Sequence, residues 1–376
     1  MREAVKTSVG NRTVFAGRCY ETGQSLPDGC MAMPGSRFGI LPKMNAMTNT
    51  EQTGPQASCD LVLVSWNEPG VTRLALDSIR RLSDHPYRLI VVDNASNAET
   101  VAMLEEAAQS GRYGEMTLIC NPENLGWIKA INQGIERSRA KYVCLLNNDV
   151  VATPGWLRHM VEAMERNPAA GLANPQERQL RNVAHSDWNA YAQELSEKHR
   201  HQIIEIDYAS GFCMMIRREL ADRIGKFDEI FGMGYYEDED FSRRALAIGY
   251  RCIRVLDALV LHHVSVSFGK DVNQKRRLGD KNRLIYENRW GRHHDWFVLA
   301  NYPAGDELLR LARDRHVMYV VDNKHVNPSA MLVQHANIKF RGGKLSRQFP
   351  RMYFLIKGWQ LKLQGRVKKT VVLSDR

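Results

Sequence analysis

Three clusters of side chains in this sequence are of the right types to do chemistry. The run CLLNNDVV, residues 144–151, interrupts an apolar stretch with two amides and a carboxylate, Asn147, Asn148 and Asp149. An unpaired buried carboxylate is costly, so the interruption marks either a turn or a bound group. Acid and amide oxygens suit a hard divalent cation, Mg²⁺ or Mn²⁺, and such cations bind phosphates. An Asx turn at a strand end is the structural alternative. The second cluster is YYEDED, with Glu237, Asp238, Glu239 and Asp240 in a row. Four carboxylates side by side repel one another and call for solvent, a cation or the positive end of a helix. The flanking Tyr235, Tyr236 and Phe241 suggest an enclosed setting, where a carboxylate has a raised pKa and can serve as a general base. The third is His262-His263, at the end of an apolar strand; imidazole with carboxylate is a common mixed ligand set for Mn²⁺-type ions.

The elements that must hold these clusters are legible in the first half of the chain. Leu61–Ser65, RLIVVDNAS (88–96), MTLIC (116–120) and KYVCLL (141–146) read as short buried strands. Helical spacing follows in residues 71–82, from a cap at Ser96 or Asn97 through about Ser110, and in NLGWIKAINQGIERS (124–138). Strands alternating with helices imply a parallel sheet with helical crossovers, and ligands of such sheets sit beyond the carboxyl ends of the strands. Polar residues fall there each time: Asn67 and Glu68, Asp93 and Asn94, then residues 147–149. Three polar strand ends on one rim make a site. Further on, residues 206–220 read as a strand leading into a helix. Residues 227–251 read as a loop, the acidic cluster and a helix closed by Gly249, and residues 254–269 as a strand running to the histidines. MYVVDNKHV (318–326) has the character of another strand.

Composition narrows the class. The chain has 376 residues, 44% hydrophobic and 25% charged, the ordinary balance of a globular protein. No apolar run is long enough to cross a bilayer. Seven scattered cysteines without a CxxC pair argue against a disulfide framework or zinc knuckle and point to a reducing cytoplasm. Residues 1–56, rich in Gly, Pro, Ser, Thr and Asn, read as a disordered extension. Residues 338–376 hold 11 lysines and arginines against the single acid Asp375, so this tail carries the whole formal net charge of +10. It suits an anionic partner such as a membrane surface or nucleic acid, with a solvated face as the structural alternative.

Taken together, VLVSWNEP, IVVDNAS, NPENLGWIKAINQGI, YVCLLNNDVVATPGWL, SGFCMMIRRE, FDEIFGMGYYEDEDFSRRALAIGYR and LHHVSVSFG, in this order and spacing, resemble the family 2 inverting glycosyltransferases of the GT-A fold, close to the bacterial rhamnosyltransferase-like members. The likeness runs from about Asp60 to Gly269. It implies a Rossmann-like α/β domain over 57–294, mostly parallel and flanked by helices, followed by a helical, basic C-terminal extension over 295–376. By the resemblance, Asn147-Asn148-Asp149 stands in for the family's DxD metal motif, with Asp149 as the second acid and Asn147 where Asp is frequent, one charge fewer for a cation. Asp93 matches the acid that holds the base or ribose, and Trp66 the aromatic against the base, with Glu68 nearby. Asn124, Gly126 and Lys129 match the element that passes the diphosphate. Asp238 matches the catalytic base, and His262, five residues before Ser267, the late metal-binding histidine.

The activity so implied is metal-assisted transfer, with Mn²⁺ or Mg²⁺, of a sugar from dTDP-rhamnose or a UDP-sugar to a hydroxyl of a glycan or lipid-linked acceptor. The competing classes fit less well. A dinucleotide oxidoreductase is expected to show GxGxxG after its first strand, and here that turn is SWNEPG. Basic charge without a recognition motif is an electrostatic footprint alone, so no nucleic acid partner is expected. A non-catalytic relative that binds nucleotide or a partner protein is the remaining alternative, left open by Asn147. The tail, FPRMYFLIKGWQLKLQGRVKK, reads either as a basic amphipathic helix on an anionic leaflet at the inner face of the membrane, or as a helix packed on the body with its cations outward.

Overall fold

The computed structural model describes residues 58–179, 187–263, 272–331 and 333–373. The expected disordered extension over 1–56, and the turn after the histidines with Ser267, lie outside them. The chain runs β1 (Cys59–Ser65), α1 (Pro69–Leu82), β2 (Tyr87–Asp93), α2 (Ala98–Gln109), β3 (Met116–Cys120), α3 (Trp127–Arg137), β4 (Tyr142–Asn147), β5 (Val150–Ala152), α4 (Trp156–Arg166) and β6 (Ala170–Gln179). It continues with α5 (Trp188–Lys198), β7 (Ile203–Ile206), β8 (Cys213–Arg217), α6 (Arg218–Ile224), α7 (Glu237–Ala247), β9 (Arg251–His262) and α8 (Val272–Trp290). The C-terminal part adds β10 (Asp295–Ala300), α9 (Gly305–Arg313), β11 (Val317–Val321), β12 (Ile338–Arg341), α10 (Lys344–Gln348), α11 (Pro350–Leu363) and β13 (Lys369–Leu373).

The larger sheet has the order β3-β2-β1-β4-β8-β6-β9-β5, with β7 on β9. Strands β3, β2, β1 and β4 are parallel, as helical crossovers require. Strand β8 then runs antiparallel to both β4 and β6. Burial follows the two-residue period of a strand covered on both faces. Leu61 and Leu63 of β1 face α1, α2 and α4, while Val62 and Val64 face Ile128, Ile131 and Ile135 of α3. Because β1 and β2 pair Ser65 with Asp93, and β1 and β4 pair Val64 with Asn147, the three polar strand ends finish level on one rim.

The opposite end of β1 is fixed by a buried carboxylate. Asp60 accepts two hydrogen bonds from Arg88, both at 2.8 Å, and others from Ser138 Oγ and the Arg139 and Ala140 amides. Burial alone would raise its pKa, but these donors outweigh burial and hold it below the ordinary value. Asp60→Ala would strand the guanidinium and the buried donors, and we expect it to cost about 3 kcal/mol in denaturant unfolding at neutral pH. The wild-type contribution is present above the unfolded-state pKa of the group and is lost as pH falls through its depressed folded value. The gap between the two proteins should therefore close in acid.

The region beyond residue 294 corrects the expectation of a helical extension. It contains a second, wholly parallel sheet of order β12-β11-β10-β13. Leu308, Leu311 and Ala312 of α9 cover one face, against Val298, Met318 and Val320. Phe354 and Leu361 of α11 cover the other, against Phe297, Leu299 and Val321. The second sheet is joined to the larger one by Arg313, which donates to both oxygens of Glu205 at 2.7 and 2.8 Å, and by Arg315, paired with Asp207 at 3.2 Å and with Glu239. No helix of the described residues is long and apolar enough to cross a membrane. Cys59, Cys120, Cys144, Cys213 and Cys252 are free thiols.

Candidate active site

The interruption at residues 147–149 resolves into three different tasks. Asn147 Oδ1 accepts a hydrogen bond from Trp127 Nε1 at 3.1 Å. Asn148 is buried and donates to Thr72 Oγ1 on α1 at 2.9 Å. Asp149 is buried as well, and its Oδ1 has no hydrogen bond in good geometry. That oxygen lies 3.3 Å from His262 Nε2. The two amides brace the turn against neighbouring helices and leave the carboxylate for another use.

His262 reaches Asp149 because β5 pairs antiparallel with the end of β9, Val150 opposite His262. Its Nδ1 meets Glu177 Oε1 on β6 at 2.8 Å, and its ring stacks on Phe212. Burial would lower the imidazole pKa, but Asp149 and Glu177 together push it up to about 9. The two carboxylates therefore favour positive charge at this point. Among the described residues, no group of three or more His, Cys, Asp and Glu side chains forms a complete cage for a metal ion. Asp149 Oδ1 and His262 Nε2 nevertheless have the spacing of neighbouring ligands on one ion. Hard cations commonly take only one or two protein ligands beside substrate phosphate.

The second strand end forms a polar mesh. Asp93 is buried; Oδ2 accepts from the Ser96 amide at 3.0 Å, and Oδ1 is buried with no partner. Asn94 donates to Asn124 Oδ1 at 2.9 Å and accepts from the Leu125 amide at 3.0 Å. Asn124 in turn accepts from the Gly126 amide, fixing the start of α3. Gly126 has φ +82°, and a Cβ there would come within 2.9 Å of Met233 Sδ. The loop before the acidic cluster thus closes directly over the start of α3. Trp66 is half-buried just beyond β1, beside the level strand ends. Glu68, just before α1, and Lys129, in the first turn of α3, are exposed and take no part in the mesh.

The four acids at the start of α7 have separate environments that their sequence does not show. Asp240 is fully buried and bonded to Arg244, Arg289 and Trp290 Nε1 at 2.9, 2.7 and 2.8 Å, a structural anchor. Glu239 pairs with Arg315; burial, partly countered by that arginine, pushes its pKa up to about 7. Glu237 is buried with Oε2 unpartnered, and burial with the neighbouring Asp238 charge raises its pKa well above the ordinary value. Asp238 is also raised by burial, but it accepts from the Gly211 amide at 3.2 Å and the Glu239 amide at 2.8 Å. Backbone donors favour an anion, so within the Glu237–Asp238 pair the negative charge settles on Asp238. Gly211 also packs on Trp127, where a Cβ would approach to 2.9 Å. Asp238 is thereby linked through Gly211 and Trp127 to Asn147.

Backbone strain collects at the same places. Seven non-glycine residues among those described have positive φ. Five of them, Asn67, Glu68, Ala95, Tyr235 and Tyr236, border these loops, and a sixth, Arg315, holds Glu239. Such strain persists where the surroundings enforce it and clusters at functional sites. A polar cavity of about 350 Å³ is lined by Asn174, Glu177, Asp207, Tyr208, Ser210 and Phe212 among others. Glu177, Trp127, Thr72, Gly211 and Arg315 were not singled out by the sequence reading. None lies in a spacing that signals chemistry, and each is recognised by what it touches.

Residues 60–225 match the family model described as Glycosyl transferase family 2. The chain is similar to the N-acetylglucosaminyl-diphospho-decaprenol L-rhamnosyltransferase of Mycobacterium tuberculosis, 27% identical over 258 residues, covering 59% of this chain and 80% of that one. It is also similar to the glucosyl-dolichyl phosphate glucuronosyltransferase of Haloferax volcanii, 23% identical over 277 residues, covering 69% and 83%. Among solved structures, a mannosyltransferase from Pyrobaculum calidifontis in complex with GDP-Man and Mn²⁺ aligns with a TM-score of 0.45 at 20% identity, over 61% of this chain and 62% of that one. The family match over residues 60–225 and the transferases among the relatives together support reading the chain as a glycosyltransferase of the family 2 type.

Proposed function

We propose that the protein transfers a sugar, with inversion, from a nucleoside diphosphate donor to a hydroxyl of a glycan or lipid-linked acceptor at the cytoplasmic side of a membrane, for a cell-surface polysaccharide. The rhamnosyltransferase among the relatives favours dTDP-rhamnose, with UDP-sugars as the other candidates. The observation that carries the reading is the set formed by an unpartnered buried carboxylate oxygen on Asp93, the Asp149–His262 pair at the same rim, and Asp238 held by the Gly211 amide.

Asp93 Oδ1 would accept from a ribose hydroxyl or base N–H, with Trp66 beside the base and Glu68 at the outer edge. The amides that start α3, held by Asn94 and Asn124, face the diphosphate with the positive end of the helix, and Lys129 adds charge there. Asp149 and His262 would hold Mn²⁺ or Mg²⁺, which neutralises charge on the departing diphosphate. Asn147 and Asn148 brace the turn that carries Asp149. The acceptor enters the polar cavity beside Ser210. Its hydroxyl gives its proton to Asp238 as the oxygen bonds to the anomeric carbon and the bond to the diphosphate oxygen breaks. One displacement inverts the centre, so a single base suffices, as in inverting glycoside hydrolysis with the acceptor in place of water. The catalytic domain so defined is 57–294, and 295–376 is an appended module.

Glu177 then acts behind the metal. An imidazole that ligates a metal usually donates its other ring N–H to a carboxylate, which fixes tautomer and orientation, and loss of that carboxylate typically weakens metal binding 10–100-fold. Nucleoside diphosphate release from UDP-, dTDP- and GDP-sugars, with Mn²⁺ and with EDTA, tests the function. One donor should turn over, EDTA and Asp149→Ala should abolish turnover, and Glu177→Gln should raise the Mn²⁺ concentration required about tenfold or more. Calorimetric Mn²⁺ titration reads the same shift without turnover. Neither nucleotide binding nor release from any donor would refute the reading.

A further inference from the structure

Helix α11 is apolar on two opposite faces, and one is uncovered. On the inner face Phe354 stacks on Phe297 of the second sheet, ring centroids 5.3 Å apart, and Leu361 joins the same cluster. On the outer face Leu355, Ile356, Trp359 and Leu363 are 69%, 62%, 68% and 68% exposed. At 100° per residue these four lie within one arc of about 100°, centred opposite Phe354 and Leu361. Met352 falls inside the arc and Phe349 precedes the helix, and both are exposed. Of the two readings of the tail left open by the sequence, packing on the body holds for the inner face, and the outer face is exposed.

Charge indicates what covers the outer face. At 100° per residue Arg351 and Lys362 border the apolar stripe, Lys344, Arg366 and Lys368 flank the helix in sequence, and residues 338–373 contain no acid. Among the described residues only Arg347 of this stretch is in an ion pair, with Asp322. A second copy of the chain would bring the same cations against this one, whereas anionic headgroups would neutralise them. Apolar side chains beneath a cationic border suit the headgroup–acyl boundary of a leaflet.

We propose that the outer face of α11 is a lipid-docking surface: Leu355, Ile356, Trp359 and Leu363 enter an anionic leaflet while the inner face stays on the second sheet. The purpose of the surface rests on the lipid-linked acceptor proposed above; its test does not, since vesicle binding needs neither donor nor acceptor. The full chain should co-sediment with phosphatidylcholine–phosphatidylglycerol vesicles and bind phosphatidylcholine vesicles about tenfold more weakly or worse. Trp359 is the one exposed tryptophan among those described, so its emission should shift to the blue on binding, and Trp359→Phe should remove that shift. The double substitution Leu355→Glu with Trp359→Glu should weaken vesicle binding at least tenfold, with melting temperature and donor turnover in solution unchanged. Equal binding by that variant, or no binding by the wild type to either vesicle, overturns the proposal. So does a wild-type dimer in lipid-free solution that the double variant abolishes, which would assign the face to a second copy.

Discussion

Replacing Asp238 by asparagine should lower the rate of transfer to an acceptor by about 10³-fold, with the donor KM changed little. The substitution is nearly isosteric. An asparagine oxygen can still accept from the Gly211 amide, so the loop that closes on Trp127 keeps its place. What is lost is the group able to take the acceptor proton. Glu237 cannot stand in, because its burial and the adjacent charge keep it protonated well above the usual carboxylate range, and Asp240 is consumed by Arg244, Arg289 and Trp290. The pH profile supplies the signature of a base as opposed to a scaffold. Burial raises the Asp238 pKa, so wild-type kcat should rise with pH along a limb lying above the ordinary aspartate value, and the limb should vanish in Asp238→Asn. A variant retaining more than about a tenth of kcat, or the same acidic limb, would remove Asp238 from the role of base.

The rim was legible because its signal is local. Apolar runs that stop on Ser65, Asp93 and Asn147 announce strands whose ends carry polar groups, and the parallel register that levels them follows from the crossover helices between. Sequence could not divide the work among the four consecutive acids. They are chemically alike in the chain, and their fates depend on Gly211, Arg289 and Arg315, contributed by distant segments. Glu177 was hidden for a related reason. Its strand, AGLANPQERQ, carries an internal proline and little alternation, yet its partner His262 is 85 residues away. The second sheet escaped because its strands are short and interleaved with loops, and its basic end drew attention to charge. The apolar faces of α11 were visible as residues, but which of them the body covers is a property of the packed structure.

The second expected effect of large size concerns Arg315. This residue sits in the turn between α9 and β11 with φ +66°. It is buried, pairs with Asp207 and Glu239, and lies over the rings of Tyr208 and Tyr286. Arg315→Met would leave two enclosed carboxylates without their counter-ion, and removing one partner of a buried pair typically costs about 3–5 kcal/mol. A fall in stability of that order is expected in denaturant unfolding at pH 8. The sign with pH is specific. Burial raises Glu239 from an ordinary glutamate value to about 7 even with Arg315 present, so folding takes up a proton and this group's contribution weakens as pH rises through that value. Without the arginine the folded pKa climbs further, Glu239 stays protonated at neutral pH, and the penalty of the substitution should grow from pH 6 to pH 8. Arg315→Lys restores charge but not the fork that spans both acids, and should recover part of the loss. Glu239 adjoins Asp238 on the first turn of α7. The substitution should therefore reduce kcat more than donor KM, even below the melting transition, because the second sheet holds the turn that carries the base. Stability and kcat both unchanged in Arg315→Met would mean that the appended module grips the catalytic body elsewhere, through Arg313 and Glu205.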